Sequence, residues 1–269
     1  MLSYRHGYHA GNPADVFKHS VLIALLKAMQ AKDSAITCID SHAGPALYDL
    51  DSSIAQKTAE YKAGIARLWA QQADSLLLND YLEAVRSVNP DRRLRYYPGS
   101  PMIMKNLLRE QDRMILCELH PGEQQALKRH FAGERRVRLH LGDGHSALKQ
   151  YLPPNSRRAL VLIDPSFELK DEIESIGKAL EQALLRFAVG VYVIWYPMIE
   201  GRDIDIASLP KTLKLDPDKW LNLAIEFPAE QRLGRMHGCG MAIINCPFSA
   251  RQTLQQLQVE LSDSSPDGS

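Results

Sequence analysis

The residues best suited to chemistry are Asp164-Pro165-Ser166-Phe167, which directly follow the apolar run 159–163. A carboxylate at the end of a buried strand, together with the carbonyl of Pro165, can accept the two N–H groups of an exocyclic amine on a flat base. The nitrogen lone pair then faces an electrophile, and the ring of Phe167 can stack on the base. The segment is therefore predicted to hold an aromatic amine while a group is transferred to its nitrogen.

Polar residues also follow three earlier strand-like runs. His42 lies just after the first run, Glu118 ends the second, and Asp143 and Gly144 follow the third. An acid at the end of a second strand can accept both hydroxyls of a ribose, and an acid after a third strand can accept an adenine amino group. Each position also has a plain alternative, since a lone strand-end acid usually faces water and Asp-Gly is a favoured turn. We expect one nucleoside site, because ligands of open α/β sheets bind along this edge.

A predicted α/β fold carries these residues. Helical patterns separate most of the strand candidates, which favours a mostly parallel sheet covered on both faces. The last two candidates are joined by a segment too short for a useful helix, so we expect an antiparallel hairpin there. A Rossmann-like, seven-stranded sheet with a terminal hairpin is the arrangement of class I S-adenosylmethionine-dependent methyltransferases. The strand candidates are residues 35–40, 114–119, 137–142, 159–163, 189–196, 221–227 and 240–246.

The length of 269 residues suits one large domain with an insertion. The gap between the first two strand candidates is too long for one crossover, and residues 61–72 and 76–88 show amphipathic helix patterns. Helix starts are predicted at Asn12-Pro13, Ser100-Pro101 and Pro121. The expected division is a methyltransferase domain of residues 1–49 and 96–261, an inserted helical subdomain of residues 50–95, and a disordered tail of residues 262–269.

The charge balance and the cysteine content limit which ligands and partners the protein is expected to bind. The chain has 32 basic and 32 acidic residues, so contact with nucleic acid must come from local patches rather than bulk charge. The basic clusters at 92–95, 135–138 and 157–158 are more typical of solvated faces. The four cysteines form no CxxC pair and no HExxH-type motif occurs, so neither a metal site nor a disulfide is expected. Without an apolar signal region or a membrane-length apolar run, the cytoplasm is the expected location.

The N-terminal segment is dense in aromatic and cationic side chains. Lys18 and His19, in the first turns of the predicted helix, can meet a carboxylate such as the methionine end of S-adenosylmethionine. The alternative for the histidines is an ordinary surface or capping role. The candidates for contact with a base or phosphates are Tyr4, Arg5, His6 and His9.

Short motifs in a specific combination extend over nearly the whole chain. They comprise residues 2–6, 9–12, 14–16, 18–19, 42–44, 95–101, 107–112, 118–121, 195–197 and 240–241. This combination resembles the J-type large-subunit ribosomal RNA adenine-N6 methyltransferases. That family is also described as needed for the use of external DNA as a nutrient.

The resemblance implies a Rossmann-like methyltransferase with a small helical insertion, which needs no metal. It implies Asp164 as the catalytic residue and Tyr4 as a contact to the RNA. The implied substrate is a single adenosine in protein-free 23S rRNA. The implied contacts to S-adenosylmethionine are His19, His42, Ser100, Glu118, Asp143 and Gly144, with Lys18 alongside.

The chain departs from this family in the catalytic loop, where the family has Asp-Pro-Pro-Tyr and this chain has Ser166 and Phe167. Ser166 removes a proline that would keep Pro165 extended, and looser positioning of the amine is expected to slow transfer about 10- to 100-fold. Ala46 likewise stands near a family glycine. Two alternative functions remain open: a nucleic-acid-binding homologue with weakened catalysis, and DNA adenine methylation linked to the use of external DNA.

Overall fold

The computed structural model describes residues 5–70 and 75–262. Its strands in chain order are β1 (Thr37–Asp40), β2 (Leu47–Asp49), β3 (Tyr96–Pro98), β4 (Arg113–Cys117), β5 (Val137–His140), β6 (Ala159–Ile163), β7 (Val191–Ile199), β8 (Trp220–Glu226) and β9 (Met236–Ile244). Its helices are α1 (Pro13–Gln30), α2 (Ser53–Thr58), α3 (Ile65–Ala70), α4 (Leu76–Arg86), α5 (Ser100–Leu107), α6 (Pro121–His130), α7 (Gly144–Tyr151), α8 (Glu172–Arg186), α9 (Leu209–Thr212) and α10 (Phe248–Ser262).

The main sheet has seven strands in the order β5-β4-β1-β6-β7-β9-β8. The first five strands of this order run parallel, and β9 lies antiparallel between β7 and β8. The predicted parallel sheet with a terminal antiparallel hairpin is thus confirmed. Because β1, β4 and β6 are paired in register, their carboxyl ends lie together at one edge of the sheet.

The centre of the sheet is buried on both faces. Along β6, Leu160 and Leu162 join the core beneath α1, α5 and α10, whereas Val161 and Ile163 join the core beneath α7 and α8. A strand buried on both faces has no polar face, which is why β6 appears in the sequence as a continuous apolar run.

Helix starts follow the local sequence. Asn12 caps α1 by accepting a hydrogen bond from the backbone N–H of Asp15 at 2.9 Å, with Pro13 in the first turn. α5 begins at Ser100 and α6 at Pro121, as predicted. The first turns of α1 lie beside the carboxyl end of β6, where Lys18 contacts Asp164.

The region between β1 and β4 contains more helices and strands than the sequence predicted. The two predicted helices correspond to α3 and α4, although residues 71–74 lie outside the described part of the chain. Helix α2 and the small antiparallel ladder of β2 with β3 were not predicted. Helix α4 packs on α1. The division of the chain into a main domain and an inserted subdomain stays a prediction.

The C-terminal end differs from the expectation in one respect. Helix α10 follows the hairpin and ends at Ser262, the first residue of the predicted disordered tail, and residues 263–269 lie outside the described range. Among residues 5–70 and 75–262, no helix is long and apolar enough to cross a bilayer. The same residues contain no cluster of three His, Cys, Asp or Glu side chains that could hold a metal ion.

Candidate active site

A cavity of about 530 Å³ opens at the carboxyl-terminal edge of the sheet. Most of the residues singled out in the sequence line it together, although they come from segments far apart in the chain. They are His6, His9, Lys18, His19, His42, Ser100, Glu118, Asp143, Gly144, Asp164 and Pro165. The structure therefore brings the N-terminal segment and the strand ends into one site.

Glu118, just after β4, is held by the backbone. Its Oε2 accepts a hydrogen bond from the N–H of Gly44 at 2.7 Å, and its Oε1 accepts one from the N–H of His120 at 2.7 Å. The side chain is only 9% exposed, and burial raises the pKa of this carboxyl in spite of the two donors. Each oxygen keeps a further lone pair, so the carboxylate can accept hydroxyl donors from a ligand in the cavity.

Asp143 and Gly144 form the start of α7. Oδ2 of Asp143 caps the helix by accepting from the N–H of Ser146 at 2.7 Å. Burial on its own would raise the pKa of Asp143, but the donors of Ser146 bring it below the ordinary value. A Cβ atom on Gly144 would lie 1.9 Å from the carbonyl oxygen of Ser41, so only glycine lets α7 approach the loop after β1 this closely.

Asp40 and Ser100 support the floor of the cavity. Ser100 Oγ donates to Oδ2 of Asp40 at 2.6 Å, and the backbone N–H of His42 donates to its Oδ1 at 3.2 Å. Asp40 is fully buried, and burial raises its pKa to about 7. The first turn of α5 is thereby fixed to the end of β1, which positions Ser100 on the cavity wall.

Two buried histidines of the site, His19 and His42, are neutral at physiological pH. Burial lowers the pKa of His19 to about 3 and that of His42 to about 3. His19 Nδ1 is hydrogen-bonded to the hydroxyl of Tyr97 at 2.7 Å and stacks on its ring, whereas His42 Nδ1 is bonded to Ser41 Oγ at 2.7 Å. Their rings are available to a ligand as uncharged hydrogen-bonding groups.

Lys18 is buried between two carboxylates. Its Nζ lies 2.6 Å from Oδ2 of Asp164 and 2.9 Å from Oδ1 of Asp15, and the side chain is 4% exposed. Oδ2 of Asp15 in turn lies 2.9 Å from Nε2 of His6. Burial alone would lower the pKa of Lys18, but the two ion pairs raise it, so the side chain stays charged. Both carboxylates that Lys18 contacts therefore belong to protein side chains.

Asp164 lies directly after β6 and beside Pro165 and Ser166 on the cavity wall. Burial raises the pKa of Asp164, and the ion pair with Lys18 opposes part of that rise. The carboxylate therefore faces the cavity in a setting that makes it more basic than an exposed aspartate.

Phe167 adopts a left-handed backbone conformation with a φ of 52°. Its ring is 2% exposed and packs edge-on against Trp195, with 6.0 Å between the ring centroids, in the core beneath α8. In this arrangement Trp195 lines the cavity and Phe167 supports it from behind. The predicted stacking of Phe167 on a base stays a prediction, and it requires the ring to turn out of this core.

Of the other two predicted contacts, only Arg5 lies in the described part of the chain. Arg5 is exposed, in the segment before the 3-10 turn of residues 6–8. Tyr4 lies outside the described residues. Their predicted contacts to RNA stay predictions.

The basic clusters of the sequence are largely engaged with neighbouring protein groups. They pair as Arg93 with Asp51 at 2.8 Å, Arg95 with Asp49 at 3.4 Å, Arg136 with Glu134 at 2.9 Å, and Arg158 with the carbonyl oxygen of Ser34 at 2.6 Å. These contacts agree with the expectation that the clusters are mainly structural faces.

Sequence reasoning missed Asp15 and undervalued Trp195. Asp15 is 1% exposed, and the signal for it was an acid three residues before Lys18, in the first turn of a helix that is mostly apolar. Trp195 was noted in the sequence only as part of the motif 195–197, yet it lines the cavity and its ring lies 5.6 Å from Nζ of Lys18.

Two glycines and a buried carboxylate give the cavity a shape that suits a nucleoside cofactor. Gly44 has a φ of 62°, and a Cβ atom there would lie 2.7 Å from the hydroxyl of Tyr48, so the loop after β1 needs glycine to keep its path. With Gly144, it leaves bare backbone next to the buried carboxylate of Glu118, which suits the close approach of a ribose. These residues therefore fit the nucleoside part of such a cofactor.

A parallel sheet with a terminal antiparallel hairpin, bearing acids at successive strand ends around one cavity, defines a class I S-adenosylmethionine-dependent methyltransferase. S-adenosylmethionine is its cofactor. Residues 33–264 match the family described as "RsmJ: Ribosomal RNA large subunit methyltransferase D, RlmJ", and the chain belongs to this family.

Three known proteins are similar over almost the whole chain. A protein of Escherichia coli named "Ribosomal RNA large subunit methyltransferase J" is 39% identical over 264 residues, which cover 96% of this chain and 91% of that protein. The protein of the same name from Haemophilus influenzae is 38% identical over 265 residues, with 96% and 92% covered. The crystal structure of protein LPL1258 from Legionella pneumophila superposes with a TM-score of 0.82 at 33% identity, covering 96% of each chain.

Proposed function

We propose that the protein transfers a methyl group from S-adenosylmethionine to the N6 amino group of an adenosine in 23S rRNA. The observation that carries the proposal is the position of Asp164, which shares one cavity with Glu118, Asp143 and Gly144. An amine acceptor and a nucleoside-type cofactor site therefore lie within reach of each other. The names of the curated relatives support ribosomal RNA of the large subunit as the substrate class.

In this proposal Asp164 and the carbonyl of Pro165 accept the two hydrogens of the target amine. S-adenosylmethionine, when bound, supplies a methyl group carried on a positively charged sulfur. Holding both amine hydrogens fixes the direction of the nitrogen lone pair, which is positioning catalysis. The amine nitrogen gains positive charge during the transfer, and the carboxylate of Asp164 stabilises that charge in a buried setting.

Lys18 sets the state of this carboxylate. Its ion pair with Asp164 keeps the carboxyl ionised despite burial, so that it can accept hydrogen bonds from the amine. Asp15 takes the other side of Lys18 and prevents the ammonium group from neutralising Asp164 completely. The balance leaves a carboxylate that is ionised and still basic.

The adenosine has to leave its stack to reach the cavity, which costs a few kcal/mol and is cheapest in a loop or at a strand end. His6 and His9 line the cavity, and with Arg5 and Tyr4 they are the proposed contacts to the RNA. Protein-free RNA is the proposed substrate, because the target must unstack. We place the reaction in the cytoplasm, where such RNA is processed.

The flanking phosphates are proposed to cross a second, shallower depression. It shares Glu60 and Leu233 with the cavity, and its lining includes Lys62, Arg67 and Arg232 as well as Glu230, which lies 3.8 Å from Arg67. Cations at this position can hold the backbone of a strand whose base has been turned into the cavity. A chain with no net charge thereby gains a local phosphate-binding surface.

The test is transfer of labelled methyl from S-adenosylmethionine to unmodified, protein-free 23S rRNA, followed by digestion to nucleosides. Label in N6-methyladenosine is the expected result, with Asp164→Ala as the negative control. Label in competing DNA instead would replace the proposed substrate with DNA. Binding of S-adenosylmethionine by calorimetry with no transfer to either would favour a binding protein with weakened catalysis.

A further inference from the structure

One arginine side chain is attached to the backbone of the catalytic loop. Arg202 Nη1 donates to the carbonyl oxygen of Phe167, and Arg202 Nη2 donates to the carbonyl oxygen of Leu169 at 2.6 Å. A planar guanidinium can hold two acceptors at a fixed separation, and its charge strengthens both bonds. The two anchored carbonyls lie three and five residues after Asp164.

The loop needs such an anchor. Residues 164–168 adopt neither helix nor strand, and Ser166 leaves the backbone freer than a proline would. Phe167 occupies the left-handed region, which is unfavourable for a bulky side chain unless surrounding contacts hold it. One of the two carbonyls that Arg202 holds belongs to this residue. The anchor therefore acts at the most strained point of the loop.

Arg202 is itself presented on a stiff support. It follows the end of β7 in a turn closed by a hydrogen bond from its N–H to the carbonyl of Ile199 at 3.0 Å. Gly201 in this turn has a φ of 71°, and a Cβ atom there would lie 2.8 Å from Nη2 of Arg235. Arg235 Nη2 donates to the carbonyl of Glu200 at 2.6 Å, and the N–H of Glu200 donates to the carbonyl of Arg235 at 2.9 Å. The turn is thus fastened to the segment that enters β9.

We infer that Arg202 is a positioning residue for methyl transfer, which acts by holding the loop that carries Asp164 and Pro165. The inference rests on the proposed function. It assigns to an arginine on the neighbouring strand connection the stiffening that a second proline supplies in the Asp-Pro-Pro-Tyr loop. Arg202 contacts the loop backbone and acts on the substrate through it.

The experiment compares Arg202→Ala and Arg202→Lys with the wild type. Removal of the anchor is expected to lower kcat about 10- to 100-fold, because misplacement of the amine by a fraction of an ångström is enough to do so. The KM for RNA and the affinity for S-adenosylmethionine should stay within about threefold. Lysine can reach only one carbonyl at a time, so the kcat of Arg202→Lys should lie between those of the wild type and Arg202→Ala. Arg186→Ala, an exposed arginine in the last turn of α8, is the matched control and should behave as wild type.

Two further readouts separate positioning from other roles. Hydrogen exchange of the peptide spanning residues 164–171 should become faster in Arg202→Ala, and this can be measured without any substrate. The loss of kcat should be smaller in a Ser166→Pro background, because the proline holds the same loop. Unchanged exchange, equal losses in both backgrounds, or a loss confined to the KM for RNA would each overturn the inference. If the wild type shows no transfer at all, the proposed function fails, and hydrogen exchange still decides whether Arg202 holds the loop.

Discussion

The two sides of the cavity are built by different means. On the side proposed for the cofactor, Glu118 and Asp143 are held by backbone N–H groups, and Gly44 and Gly144 let the backbone come close. On the acceptor side, the loop that begins at Asp164 is held by two long side chains, from Lys18 and Arg202. Backbone contacts survive most side-chain substitutions, whereas a loop held by side chains depends on each of them. Outside its two glycines, the cofactor side should therefore tolerate side-chain substitutions better than the acceptor side does.

The largest effect is expected for Asp164→Ala, which removes the amine acceptor. We expect kcat to fall about 10³-fold or more, while affinity for S-adenosylmethionine measured by calorimetry changes little. Asp216→Ala, an exposed acid far from the cavity, serves as the control. A variant at Asp164 that kept near-normal turnover would exclude the proposed mechanism.

Gly144→Ala tests whether the cofactor side depends on backbone approach. The added Cβ would collide with the carbonyl of Ser41, so α7 must move away from the loop after β1. We expect about 1–3 kcal/mol of destabilisation and roughly a 100-fold loss of affinity for S-adenosylmethionine, measured by thermal unfolding and calorimetry. Gly177→Ala is the matched control, since its Cβ would lie 3.4 Å from Leu209, an ordinary contact. Equal affinities of the two variants for S-adenosylmethionine would show that the close contact of α7 with the loop after β1 is not needed for cofactor binding.

Lys18→Met tests the acceptor side through pH. The methyl transfer needs Asp164 as a carboxylate, so activity falls as pH drops through its pKa. Burial raises that pKa and Lys18 lowers it, so removing the ammonium group raises it further. The acidic limb of the kcat profile should move to higher pH, with about a tenfold loss of kcat at neutral pH.

The control for this variant is Lys178→Met, which breaks the exposed ion pair of Lys178 with Glu174 and should change little. Thermal unfolding should separate the two variants as well, because Lys18→Met removes the ammonium group shared by the buried carboxylates of Asp15 and Asp164, at a cost of about 3–5 kcal/mol. A pH profile that stayed in place would show that Lys18 does not set the state of Asp164.

Ser166→Pro should have the smallest effect, and in the opposite direction. A proline there restricts the loop in the unfolded and in the folded chain, and we expect kcat to rise about two- to tenfold. A fall in kcat would mean that Arg202 and Lys18 already hold the loop in a path that proline disturbs.

The sequence predicted the parts of the fold that depend on local patterns. β6 and β7 were found because a strand buried on both faces is a continuous apolar run. β2 and β3 were missed because each is only three residues long, and one of them ends in proline. Helix α10 was missed because its mixed polar sequence buries only Ala250, Leu254 and Leu257.

The sequence was enough to predict where the candidate site lies, but not which of its side chains contact each other. Strand-end acids share one edge in any parallel sheet, so Glu118, Asp143 and Asp164 were predictable as a group. The partner of Lys18 was not, since no local pattern relates residues 146 positions apart. The orientation of Phe167 depends on a left-handed backbone and on packing against Trp195, which only the folded chain determines.

The central place of β1 has a consequence for how the protein is made. β1 is flanked by β4 on one side and by β6 on the other, and α1, which precedes it, carries the lysine that pairs with Asp164. During synthesis these early segments emerge long before β6 does. A nascent chain that stops short of residue 159 has a half-paired β1, and its Lys18 lacks the carboxylate of Asp164. Stable closure of the N-terminal layer must therefore wait until more than half of the chain has left the ribosome.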